Sequence, residues 1–231
     1  MQTSMPGHSD PDDGLGRFLA AAASAIAGAR RDRPGLPADL DAVSAALAAV
    51  AAERVAVAPR AQPACRHLEA ALALGAAGPA APLVRALRPL IEGLHWRHEY
   101  DVDDALPAFS RNFAYAEVAG PLGSVPSRTL CCGLVLMAPR TLYPAHAHAA
   151  TELYHVLGGR ARWQRGGEPW APRAPGAFIL HPSGVAHAME TEAEPLLALY
   201  VWYGDMAGAV TFTEGALSGR VVGRPEPGGG V

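Results

Sequence analysis

The sequence is poor in several features, and each shortage excludes a class of protein. It has three cysteines among 231 residues, Cys65 and the neighbours Cys131 and Cys132. That is too few for a disulfide framework, and adjacent cysteines are awkward to bridge to each other, so a reducing, cytoplasmic setting is expected. No run approaches the roughly 20 apolar residues of a membrane span. The opening stretch MQTSMPGHSDPDDG is acidic where a secretory signal would be basic. Charge is sparse too: 19 basic against 22 acidic residues leave a net charge of -3, and the basic ones are scattered. Nucleic acid and membrane surfaces are therefore not expected partners, which leaves small molecules or proteins.

What the chain does have is apolar residues, 50% of the total, enough to build a substantial core. Residues 1–14 read as a loose tail rich in Gly, Pro and Asp. Residues 15–98 are helical in pattern. Leu40, Val43, Leu47 and Val50 recur at helix spacing behind the candidate N-caps Asp39 and Asp41, and Leu83, Leu87, Leu90 and Leu94 repeat it around a kink expected at Pro89. Shorter helices are expected near Phe18 to Ala29 and Cys65 to Leu74. After Trp96, runs rich in Val, Leu, Tyr and Trp alternate with Pro and Gly turns, the signature of a sandwich or barrel over 110–222, and residues 223–231 read as a second tail. The fold class expected is mainly β, with an N-terminal α-helical segment.

The stretch YPAHAHAATELYHVLGG, residues 143–159, places His146, His148, Glu152 and Tyr154 on one parity of two successive strands. Four polar groups then meet inside a barrel. Burying each unpaired costs roughly 2–7 kcal/mol, and a shared cation removes that cost. Imidazoles and a carboxylate suit one divalent transition metal ion: Fe, Mn, Ni, Co or Zn. His155, on the opposite parity, points outward. His181 reads as structural, and Cys131 and Cys132 as one core and one outward residue.

A second motif, GAFILHPSGVAH, adds a fourth ligand, His187, behind turns at Gly176, Pro182 and Gly184. Together the two stretches resemble the paired motifs of the cupin superfamily, His-x-His-x3-Glu then Gly, and Gly-x5-Pro-x-Gly-x2-His. Arg140 and Thr191 depart from the pattern where glycine and asparagine are usual, and neither position is a ligand. The resemblance implies a cupin jelly-roll β-barrel holding the metal inside. Within that superfamily, these stretches and PLLALYVWYGDM resemble the bacterial cupin-type dimethylsulfoniopropionate (DMSP) lyases. That resemblance implies a metal-dependent carbon–sulfur lyase that splits DMSP, a zwitterionic sulfonium carboxylate, into dimethyl sulfide and acrylate by β-elimination. Tyr154 matches the catalytic tyrosine, Tyr143 a second pocket tyrosine and Trp202 a pocket tryptophan.

Bound to the substrate carboxylate, a metal would stabilise the developing enediolate, leaving a base to take the adjacent proton. Tyrosine ordinarily titrates at about 10, and a nearby divalent cation lowers that value, so Tyr154 is the expected base, the alternatives for it being a hydrogen bond to a ligand or direct ligation of the metal. The sulfonium has no hydrogen-bond donor and is expected against aromatic faces, drawn from Trp202, Tyr200, Tyr203 and Trp163. Tyr200 and Trp202 share one face of their strand, and Tyr203 takes the other. Competing readings are an Fe(II) dioxygenase, a sugar isomerase and a non-catalytic ligand sensor. A homodimer stays open.

Overall fold

In a computed structural model, which describes residues 14–49, 53–98, 106–206, 209–213 and 221–222, two six-stranded antiparallel sheets form the β-rich jelly roll. One sheet runs in the order β1-β2-β3-β10-β5-β8 and the other β12-β11-β4-β9-β6-β7. The strands are β1 (Trp96–Arg97), β2 (Phe113–Ala119), β3 (Leu130–Met137), β4 (Leu142–Ala147), β5 (Ala150–Gly158) and β6 (Ala161–Arg165). They continue as β7 (Ala171–Arg173), β8 (Phe178–His181), β9 (His187–Thr191), β10 (Leu196–Gly204), β11 (Val210–Phe212) and β12 (Val221–Val222). All of these except β1 lie within the stretch 110–222 expected to be strand-rich. The two-residue β1, the short β7 and helix α5 (Pro107–Asn112) were not anticipated. They are too short to show a period.

Helices α1 (Gly14–Asp32), α2 (Asp39–Ala48), α3 (Leu68–Gly75) and α4 (Ala81–Leu87) form the N-terminal layer. Gly14, expected in the leading tail, opens α1; residues 1–13, like the trailing tail at 223–231, lie outside the described residues. The expected kink at Pro89 is a stop: α4 ends at Leu87 and a 3-10 turn, Arg88–Gly93, takes over, because proline lacks the N–H that an α-helix needs and crowds the carbonyl four residues back. Asp39 and Asp41 do not cap α2. They occupy its first turn behind Ala38, where their charge favours the helix dipole.

Helix α3 lies on β5 and β10, and two glycines permit the close approach. A Cβ on Gly158 would overlap the Ala71 carbonyl, and one on Gly75 would overlap the Leu157 carbonyl. The helices therefore cover the outer face of the first sheet, and its strands are buried on both sides. Leu153, Leu157, Cys132, Leu134, Leu199 and Val201 face the helices, while Tyr154, Val156, Cys131, Val135, Ala198 and Tyr200 fill the space between the sheets. Residues on the outward parity are thus not exposed. Cys132 is fully buried, and burial, with Glu117 adding to it, pushes its thiol well above the usual range. His155 is buried against Phe178, with ring centroids 4.0 Å apart.

Candidate metal centre

The site is built from both sheets. β4 carries His146 and runs into His148, β9 opens with His187 directly opposite His146 in register, and β5 brings Glu152 from the other sheet. The turns behind these strands need left-handed backbone at Gly159 (φ 76°) and Gly184 (φ 72°). Arg140 adopts the same conformation (φ 54°) at the position where the motif usually has glycine. The Thr191 departure lies beside it. The Thr191 hydroxyl donates to the Ala138 carbonyl (2.6 Å) and accepts from the Thr141 N–H (2.9 Å), pinning the turn that contains Arg140.

All three imidazoles are oriented in the same way. The Nδ1–H of His146 donates to the Pro144 carbonyl (2.8 Å), that of His148 to Ala150 (3.0 Å) and that of His187 to Val185 (3.0 Å). Each bond leaves Nε2 with its lone pair free, the tautomer a metal ligand requires. The three imidazoles each offer a ligand nitrogen within 4.8 Å of the others, and all are buried. Glu152 Oε2 lies 3.1 Å from both His148 Nε2 and His187 Nε2, although His187 Nε2 is not aligned for a hydrogen bond. Lone pairs facing a carboxylate oxygen repel unless a cation lies between them. A divalent ion fits this donor set, and His146, His148 and His187 could hold it.

The electrostatics agree. Burial, and then the neighbouring His187, hold His146 well below the usual imidazole range, so it stays neutral. Burial pushes Glu152 up, but hydrogen bonds from His148 and His187, available only while their Nε2 atoms carry a proton, outweigh it and hold the carboxyl well below the usual range. The carboxylate is thus kept charged by a positive group on the imidazole side, a place a bound cation would take. Each imidazole also has an aromatic ring against one face. Tyr143 stacks on His146 at 4.0 Å and 13°, Trp202 packs on His148 at 4.2 Å and 33°, and His181 stacks on His187 at 4.0 Å and 10°.

The other expected site residues separate into three groups. Trp202 donates its indole N–H to Glu152 Oε1 at 2.6 Å, which makes it a partner of the carboxylate as well as an aromatic wall. Tyr154, Tyr200 and Trp163 are between the sheets: Tyr154 sits 4.8 Å from Trp163 and 5.8 Å from His181, and the Tyr200 hydroxyl is 3.5 Å from Cys131 Sγ. Tyr203 lies on the other face, where its hydroxyl donates to Asp39 of α2 at 3.4 Å. The structure does not bring it to the site.

His181 was expected to be structural. It is fully buried with its ring stacked on His187, and neither ring nitrogen is hydrogen-bonded among the described residues.

Among known proteins, the sequence profile of the dimethylsulfoniopropionate lyase family matches residues 37–198. A protein of Cereibacter sphaeroides that bears the name dimethylsulfoniopropionate lyase DddL is 35% identical over 147 residues, 63% of this chain and 61% of that protein. Dimethylsulfoniopropionate lyase DddQ of Ruegeria pomeroyi is 35% identical over 53% of this chain and 62% of its own length. The matches thus span about three fifths of these two relatives. In three dimensions, a chain from the crystal structures of the DMSP lyases RdDddP and RnDddQII superposes with a TM-score of 0.66 at 28% identity, covering 83% of this chain and 93% of that one.

Proposed function

The chain belongs to the dimethylsulfoniopropionate lyase family, and from that premise we propose that it is a metal-dependent carbon–sulfur lyase that cleaves DMSP to dimethyl sulfide and acrylate. The observation that carries this reading is the convergence of three imidazoles, each with Nδ1 tied to a backbone carbonyl, beside a buried carboxylate between the two sheets. His146, His148 and His187 hold the ion, with Glu152 as the fourth ligand. When bound, the ion acts as a Lewis acid toward the substrate carboxylate.

The chain's own residues supply the rest. Tyr154, as tyrosinate, takes the proton from the carbon next to the carboxylate; the C–H electron pair becomes the C=C bond, the C–S bond breaks and dimethyl sulfide leaves with its pair. Tyr143 keeps His146 in plane. Trp202 and Tyr200, whose rings meet edge-on at 6.5 Å, offer π faces to the sulfonium. Burial of the phenol and imidazoles keeps bulk water from competing for the proton.

The test is headspace gas chromatography of purified protein given DMSP without oxygen, with and without chelator. Dimethyl sulfide that disappears with chelator and returns on metal repletion supports the reading. No gas from metal-loaded protein overturns it. Tyr154→Phe should then abolish gas evolution at unchanged metal content, and retained turnover would move the base to Tyr143.

A further inference from the structure

Strand β3 reads LCCGLVLM, and its inward parity runs Cys131, Gly133, Val135 and Met137. Valine or isoleucine is the usual choice in a buried strand, whereas glycine weakens a strand interior and often marks a close approach. What approaches Gly133 is Tyr200, its partner in register on β10. A Cβ at Gly133 would lie 2.7 Å from Tyr200 Cε1 and 2.8 Å from the hydroxyl oxygen, and would overlap the Ala116 carbonyl. The outer end of the phenol ring therefore rests over bare backbone, where a strand side chain ordinarily stands up from its sheet.

The Tyr200 hydroxyl goes on to contact Cys131 Sγ at 3.5 Å, and Cys131 is in turn the register partner of Trp202. Tyr200 thus leans along β3 toward the indole that covers His148 and binds Glu152, and the two rings meet at 71°. Both Tyr200 and Cys131 are buried. A buried phenol wants a hydrogen-bond partner, and a thiol supplies one while being small, largely apolar and too weak a base to take the phenol's proton.

We propose that the Gly133–Cys131 face of β3 positions Tyr200 for the sulfonium group. The missing side chain at 133 lays the ring down, and the thiol at 131 fixes its tilt. This rests on the function proposed above, in which Trp202 and Tyr200 receive that cation. Neither Gly133 nor Cys131 touches substrate; both act through the phenol. A ring attracts a cation with its face and repels it with its positive edge, so a lost tilt weakens the contact. The carboxylate end of the substrate, held at the metal, is unaffected.

The test uses the full chain loaded with zinc and dimethylsulfonioacetate as the probe. That compound has the carboxylate and the dimethylsulfonium but one carbon between them, so no C=C bond can form. Calorimetry measures its affinity for the wild type, Cys131→Ala, Tyr200→Phe and the double variant. Each single variant should bind about three- to tenfold more weakly at unchanged zinc stoichiometry, the effect of one neutral hydrogen bond. The double variant should be no weaker than Tyr200→Phe, because that substitution already removes the hydroxyl through which Cys131 acts. Gly133→Ala should lose more than Cys131→Ala. Propionate, which lacks the sulfonium, should bind all the proteins alike.

No binding of the probe by the wild type, wild-type affinity in Cys131→Ala, or additive losses in the double variant overturn the proposal. A parallel loss of propionate affinity would show a general packing role and overturns it too. Should Gly133→Ala fail to fold, the Cys131 and Tyr200 variants decide the matter. Titration needs no turnover, so the expected pattern in a protein that releases no dimethyl sulfide would sink the lyase reading and keep the proposal. Gas release with wild-type probe affinity in Cys131→Ala would do the reverse.

Discussion

Trp202 shows how a residue expected for one purpose is placed for another. Strand parity and the family resemblance put it at the site, and the structure agrees, but parity carries no information about which edge of the indole faces which neighbour. The N–H reaches Glu152. Substituting Trp202→Phe keeps a ring against His148 and removes that hydrogen bond, and metal affinity should fall about 10–100-fold, as for other partners of metal-bound groups. Competition with a chromophoric chelator measures it.

His155 is the converse case: its parity was legible in the sequence and its surroundings were not. Burial is the main cause that pushes it down to about 4, with Arg33 adding to it and the Ala177 carbonyl opposing. The unfolded chain, with a value of about 6.5, takes up the proton first. Its contribution to stability is therefore complete above about pH 6.5 and is lost as the pH falls toward 4. His155→Phe should flatten that loss by up to about 1.4 kcal/mol per pH unit and change little at pH 8. Urea unfolding at pH 5 and pH 8 checks it, and an unchanged pH dependence would show that the imidazole is already protonated when folded.

Among the elements, strands were legible because alternation and turn residues mark their ends, and the ligand parity followed from them. The face on which the helices rest was not, because alternation distinguishes two faces without saying whether the outer one meets water or protein. The signal lay in Gly158 and Gly75, which are small where the sheet and helix backbones meet. Gly158→Ala should destabilise by about 2 kcal/mol or more through the forced shift of α3. Equilibrium denaturation would show it, and a loss under 0.5 kcal/mol would mean the helix moves freely.

The turn between β3 and β4 presents the same lesson in a smaller element. Arg140 and Thr191 each depart from the usual pattern, and sequence spacing cannot reveal that they meet. Thr191→Val removes both hydroxyl contacts while keeping the shape, leaving the Thr141 N–H and the Ala138 carbonyl without that partner. A loss of about 1–3 kcal/mol is expected, read in the same denaturation assay.

For the whole molecule, the described residues include no helix long and apolar enough to cross a membrane. The fold class and the cluster of histidines were readable because two spaced motifs had to close on one another. The placement of Tyr200 over Gly133 was not, since it depends on the pairing of β3 with β10, which are far apart in the chain. Saturating zinc at about one hundred times its Kd should stabilise the fold by roughly 2.7 kcal/mol and raise the melting temperature by about 5–10 °C. His146→Ala should abolish that shift.

His146 and His187 come from one sheet and Glu152 from the other. A bound ion therefore acts as a rivet through the seam of the jelly roll, and the layer that carries no helices is fastened at that point to the layer that does. Amide exchange in β4 and β9 should slow on metal loading far more than in β2, already clamped between helix and barrel, so that on the proposed ligand set mechanical cohesion and chemistry would share the same side chains.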